Sequence, residues 1–181
     1  MKSKDQALLE EAYSLVQDSV IVTELFDTVK KSLKWSPSSS YKIYDTGFKG
    51  PNGRNYNISL TQASWMYGEK TASDIFKKFK GIDAQEAAES TSTYHLEFSD
   101  TKHGMDISGE GSAAAVFGIV VNAVADLVSS TPRIRALVLS AKEPSRRRLY
   151  SRLVPVLAKK LGNWKVLTSK NKEYYYLEQS A

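Results

Sequence analysis

The chain has no cysteine among its 181 residues. Disulfides, thiolate metal sites and a cysteine nucleophile are therefore excluded, and a reducing cytoplasm is the expected setting. Histidine is nearly as scarce, with only His95 and His103. They lie near Asp100 and Asp106 in one predicted hairpin, where strand alternation works against a shared metal, so no metal site is expected. No Gly-x-Ser-x-Gly and no P-loop pattern occurs, which leaves neither a nucleophile elbow nor a Walker-type phosphate loop. The longest uncharged run, residues 111–125, falls short of the ~20 apolar residues of a membrane span. It also contains Ser112, Gly118 and Asn122, so it reads as a core helix and no membrane partner is expected. The first six residues are polar and show no signal-peptide hydrophobic segment. No internal repeat is visible.

What is present is a modest cationic excess, +5 with a pI near 9.2. It suits an anionic partner without by itself specifying nucleic acid. The length is enough for one domain with a substantial core.

Residues 4–17 and 20–34 place apolar side chains at helical spacing, the second segment with Lys30, Lys31 and Lys34 late, which suits the helix dipole. They predict a helical N-terminal arm ending in a Pro37- and serine-containing loop over residues 35–40. Residues 41–48 and 55–60 read as a hairpin across a Gly50, Pro51, Asn52, Gly53 turn. Residues 71–79 predict a short helix with Ile75, Phe76 and Phe79 on one face. Residues 81–91 are polar and read as a loop.

The second half is more regular. Residues 93–98 alternate as a strand, residues 100–104 turn, and residues 105–108 form a short strand. Residues 112–127 are a helix apolar nearly all round. Residues 134–139 are a mostly apolar run, as in a central strand. Pro144 suits the first turn of a helix that stops at Gly162, and Pro155 inside it predicts a kink. Residues 164–167 and 173–177 predict a closing antiparallel pair, with Tyr175 on the opposite face from Tyr174 and Tyr176.

Three constellations stand out. Ser108, Gly109, Glu110, Gly111 and Ser112 lie where a strand feeds a helix N-terminus, a place that can hold phosphate. The plainer alternative is a tight strand-to-helix turn, and Glu110 repels a phosphate unless it points away. The helix after Pro144 is basic, with Lys142, Arg146, Arg147, Arg148, Arg152, Lys159 and Lys160 against one acid, Glu143. These residues read either as a solvated outer face or as an anion site for a cofactor phosphate or nucleic acid. Tyr150 lies on the apolar face of the same helix. It is either core packing with its hydroxyl bonded or, in a cleft, a general acid.

Taken together, residues 93–178 resemble the GNAT N-acetyltransferase superfamily. In that family a strand leads into an Arg/Gln-x-x-Gly-x-Gly/Ala loop and a helix whose N-terminus holds the acetyl-CoA pyrophosphate. A strand and a helix with a Leu-Tyr pair follow. Here the loop corresponds to residues 106–111, the helix to the segment from Ser112, the strand to residues 134–140, and the pair to Leu149 and Tyr150. The resemblance implies an α/β fold with a mixed, mostly antiparallel sheet flanked by helices. It assigns residues 1–40 to the helical arm and residues 41–181 to the GNAT-like domain. Acetyl-CoA is the implied cofactor, held by Ser108, Gly109, Gly111, Ser112 and Ala113, with Ser140 and Arg146 contributing. Tyr150 is the implied general acid, and Glu97, which a strand could aim into the cleft, is the candidate base for an amine acceptor. The run from Ser140 to Tyr150 also resembles one in bacteriophage proteins with a GNAT-like C-terminal half, which implies the host cytoplasm. The loop departs from the family with Asp106 in place of Arg or Gln and with Glu110. Those acids support a second reading, a non-catalytic descendant that binds a host or phage protein. A third is nucleic-acid binding through Arg146, Arg147, Arg148 and Arg152.

Overall fold

The computed structural model describes residues 32–100 and 113–180. It is an α/β structure with one seven-stranded, mostly antiparallel sheet and flanking helices. The strands are β1 (Ser36–Pro37), β2 (Ile43–Lys49), β3 (Asn55–Gln62), β4 (Thr93–Asp100), β5 (Ala136–Ser140), β6 (Trp164–Thr168) and β7 (Tyr174–Gln179). Their order across the sheet is β1-β2-β3-β4-β5-β7-β6. The helices are α1 (Ala63–Tyr67), α2 (Glu69–Phe76), α3 (Ala84–Glu89), α4 (Ala113–Ser130) and α5 (Pro144–Leu161). The expected helices over residues 4–17 and 20–34 lie outside the described residues except for Ser32, Leu33 and Lys34, which are irregular. The expected strand at residues 105–108 also lies outside them.

The chain divides into two compact units. Among the described residues the first comprises 32–34, 46–58, 98–100 and 113–124. Its hairpin tip closes where Gly50 N–H donates to the Arg54 carbonyl and Gly53 N–H to the Gly50 carbonyl. Phe48 and Tyr56 stack at 5.3 Å. A Cβ on Gly50 would come within 2.7 Å of the Tyr56 ring, so only glycine lets the strand approach that closely. Phe98 of β4 meets Phe117 of α4 edge-on at 5.2 Å.

The second unit comprises Trp35–Asp45, Ser59–Glu97 and Ala125–Ala181. Serines and Pro37 led to a loop over residues 35–40, yet Ser36 and Pro37 pair antiparallel with Asp45 and Tyr44. Proline is tolerated there because β1 is an edge strand. In the center, β4 and β5 run parallel in the register Thr93↔Ala136 to His95↔Val138. The long crossover that includes α4 makes that parallel pairing feasible. β5 pairs antiparallel with β7, and β7 with β6.

Strand alternation gives the sheet of this unit two packed faces. On one, Ala136, Val138, Tyr174 and Tyr176 pack with Ala63, Ala72, Ile75, Phe76, Phe79, Ala87 and Ala88 of the α1–α3 segment. Phe76 is fully buried, and burying such a side chain contributes about 1.5–3 kcal/mol. On the other face Tyr175 meets Tyr150 of α5 edge-on at 6.3 Å.

Two helices differ from the sequence reading. The helix expected at 71–79 is α2, which starts two residues earlier and ends at Phe76; α1 precedes it across Gly68 at φ 72°, in a stretch the sequence left unassigned. The loop expected at 81–91 contains α3, because the Asp83 carboxylate accepts from Gln85 N–H and Glu86 N–H at 2.9 and 3.0 Å. That cap offsets the weak hydrophobic signal, and Ala87 and Ala88 then reach the core. Pro144 opens α5, Gly162 at φ 86° closes it, and the helix runs on through the exposed Pro155.

Candidate functional site

The parallel pairing of β4 and β5 ends at His95 and Val138. Beyond it, β4 continues through Leu96 and Glu97, and β5 through Leu139 and Ser140. Main-chain ladder bonds hold these two strands together up to that point and not past it. Glu97 and Ser140 therefore sit at the end of the paired region, both half-buried. Ser140 is opposite Tyr174 of β7.

Side chains from both helical layers converge electrostatically on Glu97. Tyr150 of α5 is 3% exposed. Burial pushes its phenol up to about 12; the Arg146 guanidinium and its hydrogen bond oppose the rise, while the Glu97 and Glu143 carboxylates add to it. On the other layer, Tyr67 of α1 is raised first by burial, then by Tyr174 and Glu97. One carboxylate thus influences two phenols, both of which stay protonated at neutral pH.

Arg146, which the sequence leaves open as part of a solvated outer face or as an anion ligand, is not on an outer face: it is 6% exposed. At i and i+4 it shares a helix stripe with Tyr150, to whose hydroxyl it is hydrogen-bonded. Its Nε lies 3.4 Å from Glu143 Oε2, an ion pair without hydrogen-bond geometry. The planar guanidinium tolerates burial because these partners meet it. Arg147 is half-buried, and its Nη2 donates to the Lys142 carbonyl at 3.2 Å. Its own carbonyl accepts from the Tyr175 hydroxyl at 3.1 Å. Arg148 and Arg152 lie on α5.

His95 is the residue that sequence reasoning passed over, having weighed it only as a metal ligand. It is 5% exposed, and neither ring nitrogen has a hydrogen-bond partner among the described residues. Burial pushes its imidazole down to about 4, so it is neutral at pH 7. The Tyr67 ring stands edge-on to it, with centroids 5.5 Å apart. Leaving a buried polar group unmatched costs about 1–3 kcal/mol, so packing alone does not account for a histidine here. The signal available in the sequence was the two-residue spacing from Glu97, which puts both side chains on one strand face.

Ser108, Gly109, Gly111 and Ser112 lie outside the described residues, as do His103 and Asp106. Ala113 is the first residue of α4. Among the described residues no group of three or more His, Asp or Glu side chains could hold a metal ion, and no helix is long and apolar enough to cross a membrane. A separate cavity of about 300 Å³ opens at the start of β4 and β5, beside Thr93 and Ala136. Of the acids that line it, Asp83 caps α3 and Glu178 pairs with Lys165; Glu86 is the third.

In comparisons with protein-family models, curated proteins and solved structures, nothing matches the chain.

Proposed function

We propose that this protein is a GNAT-type N-acetyltransferase that moves an acetyl group from acetyl-CoA to an amine. The observation that carries the reading is the burial of Tyr150 on α5, 3% exposed, with its phenol pushed up to about 12, first by burial. Glu97 of β4 is among the lesser causes of that rise, and both residues are ones the resemblance implies. The end of β4–β5 pairing at His95 and Val138 supports it further, because it leaves main-chain groups of both strands outside their shared ladder, where an extended substrate could bond. The mostly antiparallel sheet flanked by helices is also what the resemblance implies.

The residues fit the chemistry. Acetyl-CoA supplies a thioester whose carbonyl carbon the amine attacks; a C–N bond forms and the C–S bond breaks. Glu97 takes the proton that the acceptor ammonium must lose before attack. Tyr150, with its phenol near 12, is a hydrogen-bond donor throughout the neutral range. Complete proton transfer from it to a thiolate of ordinary pKa near 8.5 would be uphill by ~5 kcal/mol. Tyr150 therefore stabilises the departing sulfur by donating a hydrogen bond as charge develops, and the thiolate takes its proton from solvent. Arg146 orients the phenol and restrains its pKa from rising further. Most of the remaining acceleration comes from holding the two substrates together. Ser140 aligns the pantetheine in this reading.

The non-catalytic alternative rests on Asp106 and Glu110. The burial of Arg146 removes it from a surface that nucleic acid could read, and equally from the residues expected to contribute to acetyl-CoA binding. The discriminating experiment measures acetyl transfer from labelled acetyl-CoA to a panel of primary amines. Glu97→Gln and Tyr150→Phe each lower kcat by about 10²–10⁴ with acetyl-CoA affinity held. An equal loss of affinity and turnover would make Tyr150 a structural residue and remove the proposed role.

A further inference from the structure

The inference concerns the acceptor and rests on the acetyltransferase reading. His95 and Glu97 point to the same side of β4, about 7 Å apart along the strand. Glu97 is the carboxylate that receives the acceptor ammonium. Next to it stands a buried imidazole with an N–H donor and a bare nitrogen acceptor, neither engaged by the described residues. Tyr67 covers the imidazole edge-on, and Val138 lies opposite in β5. Tyr174 and Tyr176 rise from β7 on the same sheet face. The Lys78 ammonium stands over the Tyr174 ring, 4.7 Å from its centroid.

We propose that His95 is the specificity residue of the acceptor pocket, and that the acceptor is a primary amine bearing a neutral hydrogen-bonding group, an amide or hydroxyl, two to four bonds from its nitrogen. Both donor and acceptor capacity stand open on the imidazole, which matches a group that can both give and take a hydrogen bond. An uncharged ring in this position does not select for an anion. The spacing of His95 from Glu97 sets the distance between the acceptor's two polar groups. Sites built around a buried hydrogen bond reject analogues that lack it more strongly than apolar pockets reject a missing methylene.

Two measurements test this. The first compares glycinamide with n-propylamine as acceptors, by kcat/KM, in the wild type and in His95→Phe, which keeps an aromatic edge against Tyr67. The wild type prefers glycinamide at least about tenfold, and His95→Phe brings the ratio near unity by losing activity toward glycinamide. An unchanged ratio overturns the proposal, since a merely structural role lowers both rates together. The second needs no variant and no acetyl-CoA: ¹⁵N-imidazole NMR of the full chain titrated with each amine. Glycinamide shifts the His95 ring nitrogens and n-propylamine leaves them in place. Absence of a glycinamide shift overturns the proposal. If acetyl-CoA is neither bound nor turned over while glycinamide still shifts His95, the acetyltransferase reading fails and the binding site stands.

Discussion

Part of this protein's loss of stability in acid comes from His95, and His95→Leu removes that part. An unfolded histidine titrates near 6.5 and the folded His95 near 4. Above pH 6.5 the imidazole is neutral in both states and contributes no pH dependence. As pH falls below 6.5 the unfolded chain takes up a proton that the folded chain refuses, so stability drops until about pH 4 and then levels. The full difference is about 2.5 pKa units, or ~3 kcal/mol at 1.36 kcal/mol per unit, of which ~2 kcal/mol is lost by pH 5. Because the side chain is 5% exposed, solvent screening does not erode the figure much. The assay is urea unfolding of wild type and His95→Leu at pH 7, 6, 5 and 4. Carboxylates, Glu97 included, are common to both proteins and largely cancel in the difference. The variant gains on the wild type by ~2 kcal/mol between pH 7 and 5. Parallel stability curves over that range would refute a buried, neutral His95 and with it the geometry of the candidate site.

Two further outcomes follow from single side chains. Asp83→Ala removes the carboxylate that accepts from Gln85 and Glu86 N–H, and lowers stability by about 1 kcal/mol, read as a urea midpoint at constant m-value; no change would mean that α3 is held by Ala87 and Ala88 alone. Arg146→Met removes the charge and hydrogen bond that restrain Tyr150. The Tyr150 phenol then titrates above its wild-type value, followed by ¹³Cζ-tyrosine NMR, and a fall would reverse the assigned electrostatics.

Where local chemistry and tertiary demand agree, the sequence was sufficient to anticipate the structure. Pro144 and Gly162 bound α5 as their backbone preferences require, and the all-round apolar stretch became α4, running on to Ser130, whose hydroxyl donates to the Asp126 carbonyl. The alternation through Tyr174, Tyr175 and Tyr176 matches the two faces that they occupy. What was harder to read depended on partners distant in sequence. β1 exists because Tyr44 and Asp45 provide its ladder, and α3 depends on a cap more than on its own apolar content. Arg146 looked like surface because its charge dominates any pattern count, whereas Glu143 and Tyr150 make its burial tolerable. Glu97 and Tyr150 became candidates through the resemblance, the tyrosine as part of the Leu-Tyr pair and the carboxylate as one that a strand could aim into the cleft. His95 was not, since nothing in a strand's alternation reveals whether a buried imidazole has found its hydrogen bonds.

The most direct test of the central claim is calorimetric titration of the full chain with acetyl-CoA. The account predicts saturable heat with one site per chain, and an affinity retained in Tyr150→Phe, whose hydroxyl acts on the departing sulfur and not on the bound ground state. No heat up to millimolar ligand would contradict it.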